Sequence, residues 1–164
     1  MTRRMALVGT LAFLAVAPAT VAGVVPWWIA GWRMRPPLFT GARVLGAILA
    51  AAGIAAVLES FARFAIRGLG TPAPVLPPRR LVVSGLYRYV RNPMYVAVLS
   101  VIAGQALLLG ELRVLGYGAL VWLAFHRFVV GYEEPRLRKT FGAEYDAFRE
   151  RVPRWIPRPP RGRA

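Results

Sequence analysis

The sequence contains no cysteine and a single histidine, His126. Without cysteine the chain can form no disulfide, no thiolate metal site and no cysteine nucleophile. One histidine also argues against a histidine-based zinc site and against a catalytic triad within one chain. We therefore expect no metal, and we interpret His126 as a packed or interfacial side chain near the end of an apolar run.

Acidic residues are also scarce, because 7 Asp and Glu stand against 22 Lys and Arg, which gives a formal net charge of +15. Such a charge can indicate nucleic-acid binding. The arginines, however, lie between long apolar runs, and positive charge beside apolar runs is typical of membrane spans. We therefore expect anionic lipid headgroups as partners and no nucleic acid.

Apolar residues are what the sequence has in excess. They make up 57% of the chain, only 18% of the residues are charged, and the mean hydropathy is +0.47. Soluble domains are usually about half apolar and about a quarter charged. Because the chain is both more apolar and less charged than a soluble domain, the composition indicates an integral membrane protein whose main partner is the lipid bilayer.

Four apolar runs divide the chain, and their lengths predict helices. The last two are near the short end for a span of about 20 residues and a short connection separates them, so we expect a tight hairpin that is either tilted or does not fully cross the membrane. The predicted fold class is all-α: a polytopic transmembrane helix bundle of about four spans, forming a single domain over residues 1–164. The runs are residues 5–30, 43–66, 94–110 and 114–130.

The first apolar run imitates a cleaved signal peptide, because two arginines precede it and small residues lie within it. The run continues, however, into a stretch with three tryptophans, Trp27, Trp28 and Trp32, which suit a membrane-interface belt. We therefore favour a retained span over a cleaved signal.

Small and polar residues within the apolar runs are expected to face other helices. Gly46 and Gly53 would allow close helix packing in lipid. Glu59 is expected to pair with Arg63, one helical turn later. Gln105, inside the third run, is expected to hydrogen-bond to a neighbouring helix.

The chain beyond the fourth run is polar with one apolar face. Leu137, Phe141, Tyr145 and Phe148 recur at helical spacing, which predicts a C-terminal amphipathic helix at the headgroup level, bent at Gly142. Lysine and arginine are concentrated before the first run, between the second and third runs, and after the fourth run: 18 of the 22 fall there. The positive-inside rule then places the C-terminal region on the cytoplasmic side of a bacterial-type inner or plasma membrane.

The stretch GLYRYVRNPMY (residues 85–95) is basic and aromatic, yet it leads directly into the third apolar run. Pro93 suits the first helical position and Asn92 suits the N-cap. The same helix start offers free N–H groups and a positive dipole end, which bind carboxylates and phosphates. Arg88 and Arg91 add forked donors for a carboxylate, and the tyrosine rings suit a flat heterocycle or a cation.

The stretch GYEEPRL (residues 131–137) holds two adjacent carboxylates, Glu133 and Glu134, just after the fourth run. Acidic residues near a helix start opened by Pro135 have a local explanation in the helix dipole. The functional interpretation is that the pair receives an ammonium group or ribose hydroxyls. Sequence alone leaves both interpretations open.

The first stretch, the apolar hairpin after it and then EEPRLRKTFGAEYDAFRERVPRWIP together resemble the isoprenylcysteine carboxyl methyltransferase family and the related phospholipid methyltransferases. The resemblance covers about half of the chain, residues 81–157. It implies an integral membrane methyltransferase that uses S-adenosylmethionine, releases S-adenosylhomocysteine and holds this cofactor in a cytoplasmic pocket. It also implies a lipophilic small-molecule or lipid substrate that arrives from the bilayer.

The resemblance also implies functional residues. From the residues themselves, we expect Arg88 and Glu134 to orient the reacting groups rather than transfer protons. Asn92 stands where the family usually has histidine, and an amide cannot titrate, so a histidine base is absent from this site. The cofactor-binding residues that the resemblance implies are Gly85, Tyr87, Arg91, Asn92, Pro93, Tyr95, Glu133 and Glu134. We add Leu86, which lies within the same motif.

The resemblance leaves the methyl acceptor open. An isoprenylcysteine-like carboxylate, a lipid amine and a hydrophobic acid or thiol all remain candidates. One alternative is a non-catalytic four-span scaffold or carrier that keeps the motif. Another is a nicotinamide-dependent membrane reductase, because membrane sterol reductases have a related C-terminal region.

Overall fold

The computed structural model describes residues 16–31, 33–63 and 81–160. The predicted span segments at residues 5–15 and 64–66, and Trp32, lie outside these residues. Every regular element in the described part is a helix, and no strand occurs there. This confirms the all-α class for the described residues.

Five helices form the described bundle, and each coincides with a run or face predicted from sequence. By length and composition, α2 and α4 are able to cross a membrane, whereas α1 and α3 are shorter apolar helices. The helices are α1 (Val16–Ala30), α2 (Ala42–Arg63), α3 (Pro93–Leu109), α4 (Leu112–Phe141) and α5 (Ala143–Arg151).

Helices α2 and α3 form the most extensive helix pair, and glycines allow it. A Cβ built on Gly46 would lie 2.6 Å from the carbonyl oxygen of Gly104, and one built on Gly53 would lie 2.8 Å from that of Ala97. Such distances mean that the two backbones touch directly. The close packing predicted at Gly46 and Gly53 is therefore confirmed.

Helix α1 is held to the bundle at a π-helical turn, Thr20–Val24. Gln105 of α3 donates to the carbonyl oxygen of Ala22 (2.6 Å), and the hydroxyl of Tyr117 in α4 donates to that of Val21 (2.9 Å). Gln105 is thus the interhelical partner that the sequence predicted. The core that these helices share is formed by Ala30, Val57, Phe61, Ala97, Val98, Ile102, Ala106, Leu109 and Val114.

The connection between α3 and α4 is as tight as predicted and carries a buried acid. Gly110 adopts a left-handed conformation (φ +69°), and Glu111 is the N-cap of α4. Glu111 is 3% exposed and accepts bonds from Arg113 and Arg35, each with a closest distance of 2.9 Å. Hydrogen bonds from Arg113, with the charge of Arg35 adding to them, lower the pKa of Glu111 to about 2.

Helix α4 does not end near residue 130 as the sequence suggested. It continues through a π-helical turn, Val129–Glu133, and ends at Phe141. The break comes at Gly142 (φ +50°), where a bend was predicted. The π turn keeps the chain helical while it leaves the apolar run, so no separate helix start is needed at Pro135.

The apolar face of the C-terminal region is covered by protein instead of lying free at the headgroups. Tyr145 and Phe148 of α5 are 2% and 6% exposed, and Val152 completes their cluster. Leu81, Leu137 and Phe141 pack against it. The predicted helical spacing is confirmed, but its function is to dock α5 on the chain's own segments.

Candidate functional site

Gly85 opens the first motif in a conformation that only glycine adopts readily. It has φ +63° and begins a short 3-10 helix, Gly85–Arg88. A Cβ at this position would collide with Arg63 Nε and Glu59 Oε1, which form the predicted ion pair of α2. The motif therefore needs glycine both for its turn and for its contact with α2.

The start of α3 matches the predicted positions but not the predicted capping. Asn92 is the N-cap residue, and Pro93 is the first residue of the helix. The Asn92 side chain makes no capping bond; its Nδ2 donates to the carbonyl oxygen of Arg154 (3.1 Å). Capping by the Asn92 side chain was therefore a wrong prediction, because the C-terminal segment offers that amide an acceptor.

That C-terminal segment, residues 152–158 and here called the strap, runs along the first motif. The backbone N–H of Arg91 donates to the carbonyl oxygen of Pro153 (2.8 Å). The N–H of Arg158 donates to that of Tyr89 (3.0 Å). Two backbone bonds and the Asn92 amide thus fix the strap against residues 89–92.

A buried charge network joins the two motifs to the strap. Arg91 Nη1 lies 3.1 Å from Glu134 Oε1, and these side chains are 10% and 11% exposed. Arg154 holds the same carboxylate at both oxygens, with Nε 2.6 Å from Oε1 and Nη2 2.9 Å from Oε2. Arg91 Nη1 also lies 3.5 Å from the Tyr145 hydroxyl. Two arginines around one carboxylate leave a net positive charge in a poorly solvated place.

The two adjacent glutamates point to different neighbours. Glu133 Oε2 accepts a hydrogen bond from the Tyr95 hydroxyl of α3 (3.0 Å), whereas Glu134 faces Arg91 and Arg154. Glu133 ends the π-helical turn of α4, and Glu134 follows it. The structure therefore gives the two carboxylates separate surroundings, which the sequence could not distinguish.

Tyr87 is buried between acidic side chains. It is 7% exposed, and burial raises the pKa of its hydroxyl, with the charges of Glu133 and Glu59 adding to the shift. The ring therefore stays neutral at any physiological pH. Glu59 of α2 thus lies near the first motif, which the sequence analysis missed.

The remaining predicted residues of the first motif are placed differently. The carbonyl oxygen of Leu86 accepts from the N–H groups of Tyr89 (3.0 Å) and Val90 (3.2 Å), so Leu86 closes the turn. The Arg88 side chain is exposed, and within the described residues it takes part in no ion pair. Arg88 therefore lies outside the Arg91–Glu134 network.

His126 is packed between aromatic rings, as expected. Trp155 of the strap donates from Nε1 to His126 Nδ1 (3.2 Å), and the ring of Trp122 stacks on the histidine with 5.4 Å between centroids. This contact joins the middle of the strap to α4. Among the described residues no group of three or more His, Asp or Glu side chains is arranged to hold a metal ion.

Two residues of the network, Arg154 and Tyr145, were not predicted. Both lie in the segment that carries the family resemblance, but their distances along the chain from Arg91 gave no sign of contact. The available signal was the proline-rich stretch after α5, since an extended segment can reach back to an earlier motif.

A groove of about 490 Å³ lies on the outer side of Glu134. Three of its lining residues are basic and exposed, and one of them, Arg138, pairs with Asp146 at 3.1 Å. The lining residues are Val130, Glu134, Pro135, Arg138, Lys139 and Arg149.

The chain is similar in sequence to known methyltransferases. Protein-S-isoprenylcysteine O-methyltransferase of Schizosaccharomyces pombe is 36% identical over 78 residues, which cover 47% of this chain and 33% of that protein. Protein-S-isoprenylcysteine O-methyltransferase B of Arabidopsis thaliana is 32% identical over 79 residues, covering 48% of this chain and 40% of that protein. The matches thus span well under half the length of these relatives. The phospholipid methyltransferase family model matches residues 42–144, and the chain belongs to the phospholipid methyltransferase family.

Proposed function

We propose that this chain is a membrane-embedded methyltransferase that uses S-adenosylmethionine to methylate a lipophilic acceptor. The observation that carries the proposal is the 3.1 Å contact between Arg91 and Glu134, because it brings together the two motifs on which the family resemblance rests. Membership of the phospholipid methyltransferase family supports methyl transfer as the reaction.

The donor set near this contact fits the amino-acid part of the cofactor. Arg91 Nε is buried and has no acceptor among the described residues. A buried N–H without a partner costs about 1–3 kcal/mol, so a carboxylate that accepts from it would be bound favourably. Arg91 is therefore the proposed partner of the cofactor's carboxylate.

Glu133 is the proposed partner of the cofactor's ammonium group or ribose hydroxyls. Its Oε2 accepts from Tyr95, and no described residue donates to its Oε1. Tyr87 and Tyr95 provide ring surfaces beside it; Tyr87 is buried and Tyr95 is half-buried. Glu134 already pairs with two arginines, and its proposed role is to hold Arg91 in position.

When bound, S-adenosylmethionine supplies a methyl group already activated by its positively charged sulfur. The protein then has to orient the reactants and exclude water, which are strong contributions to a displacement reaction. Arg91 and Glu133 orient, and the buried Tyr87 excludes water. Asn92 cannot take a proton, so an acid or thiol acceptor has to react as its anion and an amine has to lose its proton to another group or to solvent.

Arg88 is the proposed contact for an anionic group of the acceptor, since its side chain is exposed and belongs to the same 3-10 turn as Tyr87. Arg138, Lys139 and Arg149 of the groove are proposed to face anionic lipid headgroups. We place this face on the cytoplasmic side, in a bundle of four spans.

Calorimetry with S-adenosylhomocysteine tests the cofactor site. We expect saturable binding by the wild type and a loss of about ten-fold or more for Arg91→Gln and for Glu133→Gln, because a hydrogen bond to a charged group contributes about 1.5–3 kcal/mol. Glu144→Gln is the matched control, since Glu144 is exposed at the start of α5. A folded wild type that binds no S-adenosylhomocysteine would refute the proposal.

Transfer of a labelled methyl group to a panel of acceptors tests the reaction itself. The panel would contain a prenylated cysteine, an amine phospholipid and a long-chain acid. Binding without transfer to any of them would favour a carrier, and saturable NADPH binding would favour a reductase.

A further inference from the structure

Arg154 and Arg91 share one carboxylate unequally. Arg154 occupies both oxygens of Glu134, at 2.6 Å and 2.9 Å, whereas Arg91 reaches only Oε1, through Nη1 at 3.1 Å. Arg91 Nε is buried, and no atom of the described residues accepts a hydrogen bond from it. The arrangement is unusual because a guanidinium beside a carboxylate normally forms two parallel bonds to it.

The position of Arg154 does not depend on Glu134 alone. Its carbonyl oxygen accepts from Asn92 Nδ2 (3.1 Å), and the preceding carbonyl, of Pro153, accepts from the backbone of Arg91 (2.8 Å). These bonds hold the backbone of Arg154 beside Arg91, whose guanidinium contacts the same Glu134 carboxylate. Its guanidinium contacts both oxygens of Glu134, including Oε2, for which no contact with Arg91 is seen.

We propose that Arg154 is a positioning residue that keeps Arg91 available for the cofactor's carboxylate. By filling both oxygens of Glu134, Arg154 limits Arg91 to a single bond and leaves its Nε–H for the ligand. Without Arg154, Glu134 Oε2 has no partner, and the Arg91 guanidinium then forms two parallel hydrogen bonds to Glu134. The inference rests on the proposed function, because it assumes a ligand that carries a carboxylate.

Charge supports the same role. Arg91, Arg154 and Glu134 together carry one positive charge, and the Arg91 and Glu134 side chains are about nine-tenths buried. A ligand carboxylate neutralises this charge. Without Arg154 the remaining pair is already neutral, so the site loses both the free N–H and the attraction for an anion.

Two ligands that differ only in the carboxylate test the idea. We would measure the affinity of S-adenosylhomocysteine and of its decarboxylated form, which keeps the ammonium group, the ribose and the adenine. For the wild type we expect the decarboxylated ligand to bind about ten-fold more weakly, since it lacks a charge-assisted hydrogen bond. In Arg154→Gln the two affinities should become nearly equal, through loss of S-adenosylhomocysteine affinity alone.

The double variant Arg154→Gln/Glu134→Gln separates positioning from general support of the fold. With the competing carboxylate removed, Arg91 is free again, so the preference for S-adenosylhomocysteine should return at least in part. Arg151→Gln is the charge-matched control, because Arg151 is exposed and its side chain donates to Ala147 within the same helix (3.0 Å). Arg154→Lys keeps the positive charge but lacks the paired guanidinium donors. It replaces Arg154→Gln in the test if that variant does not fold.

The outcomes separate this inference from the proposed function. If the wild type binds neither ligand, both ideas fail. If the wild type prefers S-adenosylhomocysteine and Arg154→Gln and Arg154→Lys keep that preference, only the role of Arg154 is refuted. Equal losses for both ligands, or no recovery in the double variant, would also contradict positioning and indicate a structural role.

Discussion

Gln105 Nε2 lies 2.6 Å from the carbonyl oxygen of Ala22, and this bond joins α3 to α1. Tyr117 makes a second such bond to Val21, at 2.9 Å. Both acceptors lie in the π-helical turn of α1. The described part of the first apolar run is therefore tied into the bundle by side chains of two other helices.

Removing the Tyr117 hydroxyl tests this tie. We expect Tyr117→Phe to lower the free energy of unfolding in detergent by about 0.5–1.5 kcal/mol, the usual net contribution of one hydrogen bond. Tyr89→Phe is the control, because the Tyr89 side chain is exposed. Equal stability of both variants would show that the bond contributes nothing measurable. Intact-mass analysis of the purified protein would show whether residues 16–30 are retained.

Close packing of α2 on α3 predicts that alanine is not tolerated at Gly104. A Cβ there would lie 2.5 Å from Ala50 N and 2.7 Å from Gly46 O, and backbone atoms cannot move aside without separating the helices. We expect Gly104→Ala to destabilise the protein by about 1–3 kcal/mol, as overpacking does. Gly116→Ala is the control, since nothing lies within 4 Å of its Cβ position. That variant should be neutral or slightly more stable. Unfolding in detergent measures both.

Gly85 should be equally sensitive, but with an effect on the site. Gly85→Ala would strain a residue with φ +63° and push the turn off the Glu59–Arg63 pair. Such strain costs of the order of 1–3 kcal/mol. We expect weaker binding of S-adenosylhomocysteine along with lower stability, measured by calorimetry and thermal unfolding. Gly131→Ala, where nothing lies within 4 Å, should change neither. Unaltered binding by Gly85→Ala would mean that the turn is not needed for the site.

Glu111 predicts how stability changes in acid. Its pKa in the folded protein is about 2, below the ordinary value of 4.5, so its contribution is complete above about pH 4.5 and is lost as the pH falls towards 2. Wild type should therefore exceed Glu111→Gln in stability at neutral pH, and the difference should shrink over that window. Unfolding midpoints of both proteins at a series of pH values measure it. A difference that stays constant down to pH 2 would contradict the assignment to this carboxylate.

Much of the fold follows from local properties of the chain. Apolar runs place the start of α2 and both ends of α3 within one residue of their observed positions, and the Asn92–Pro93 step marks the start of α3. Gly46 and Gly53 indicated the tight helix contact, and Glu59 indicated its partner four residues on. These features depend on helical periodicity and proline geometry, which act over a few residues.

Local properties of the sequence did not predict where α4 ends or which acceptor the Asn92 amide binds. Pro135 looks like a helix start, yet α4 runs through it because a π-helical turn precedes it. Asn92 looks like a side-chain cap, yet it donates to Arg154, 62 residues later. In both cases a contact or a backbone register that is distant in sequence overrides the local preference.

In the candidate site, too, some features follow from the sequence and others from the tertiary structure. The sequence alone determined a helical membrane protein and the two motifs with their arginines, tyrosines and glutamates, because composition and spacing are properties of the chain itself. Only the tertiary structure decided that Glu133 faces Tyr95, that Glu134 faces Arg91, and that Arg154 returns to share that carboxylate. The reason is physical: a guanidinium pairs with whichever carboxylate the packed helices and the strap bring within about 3 Å, and distance along the chain has no part in that choice.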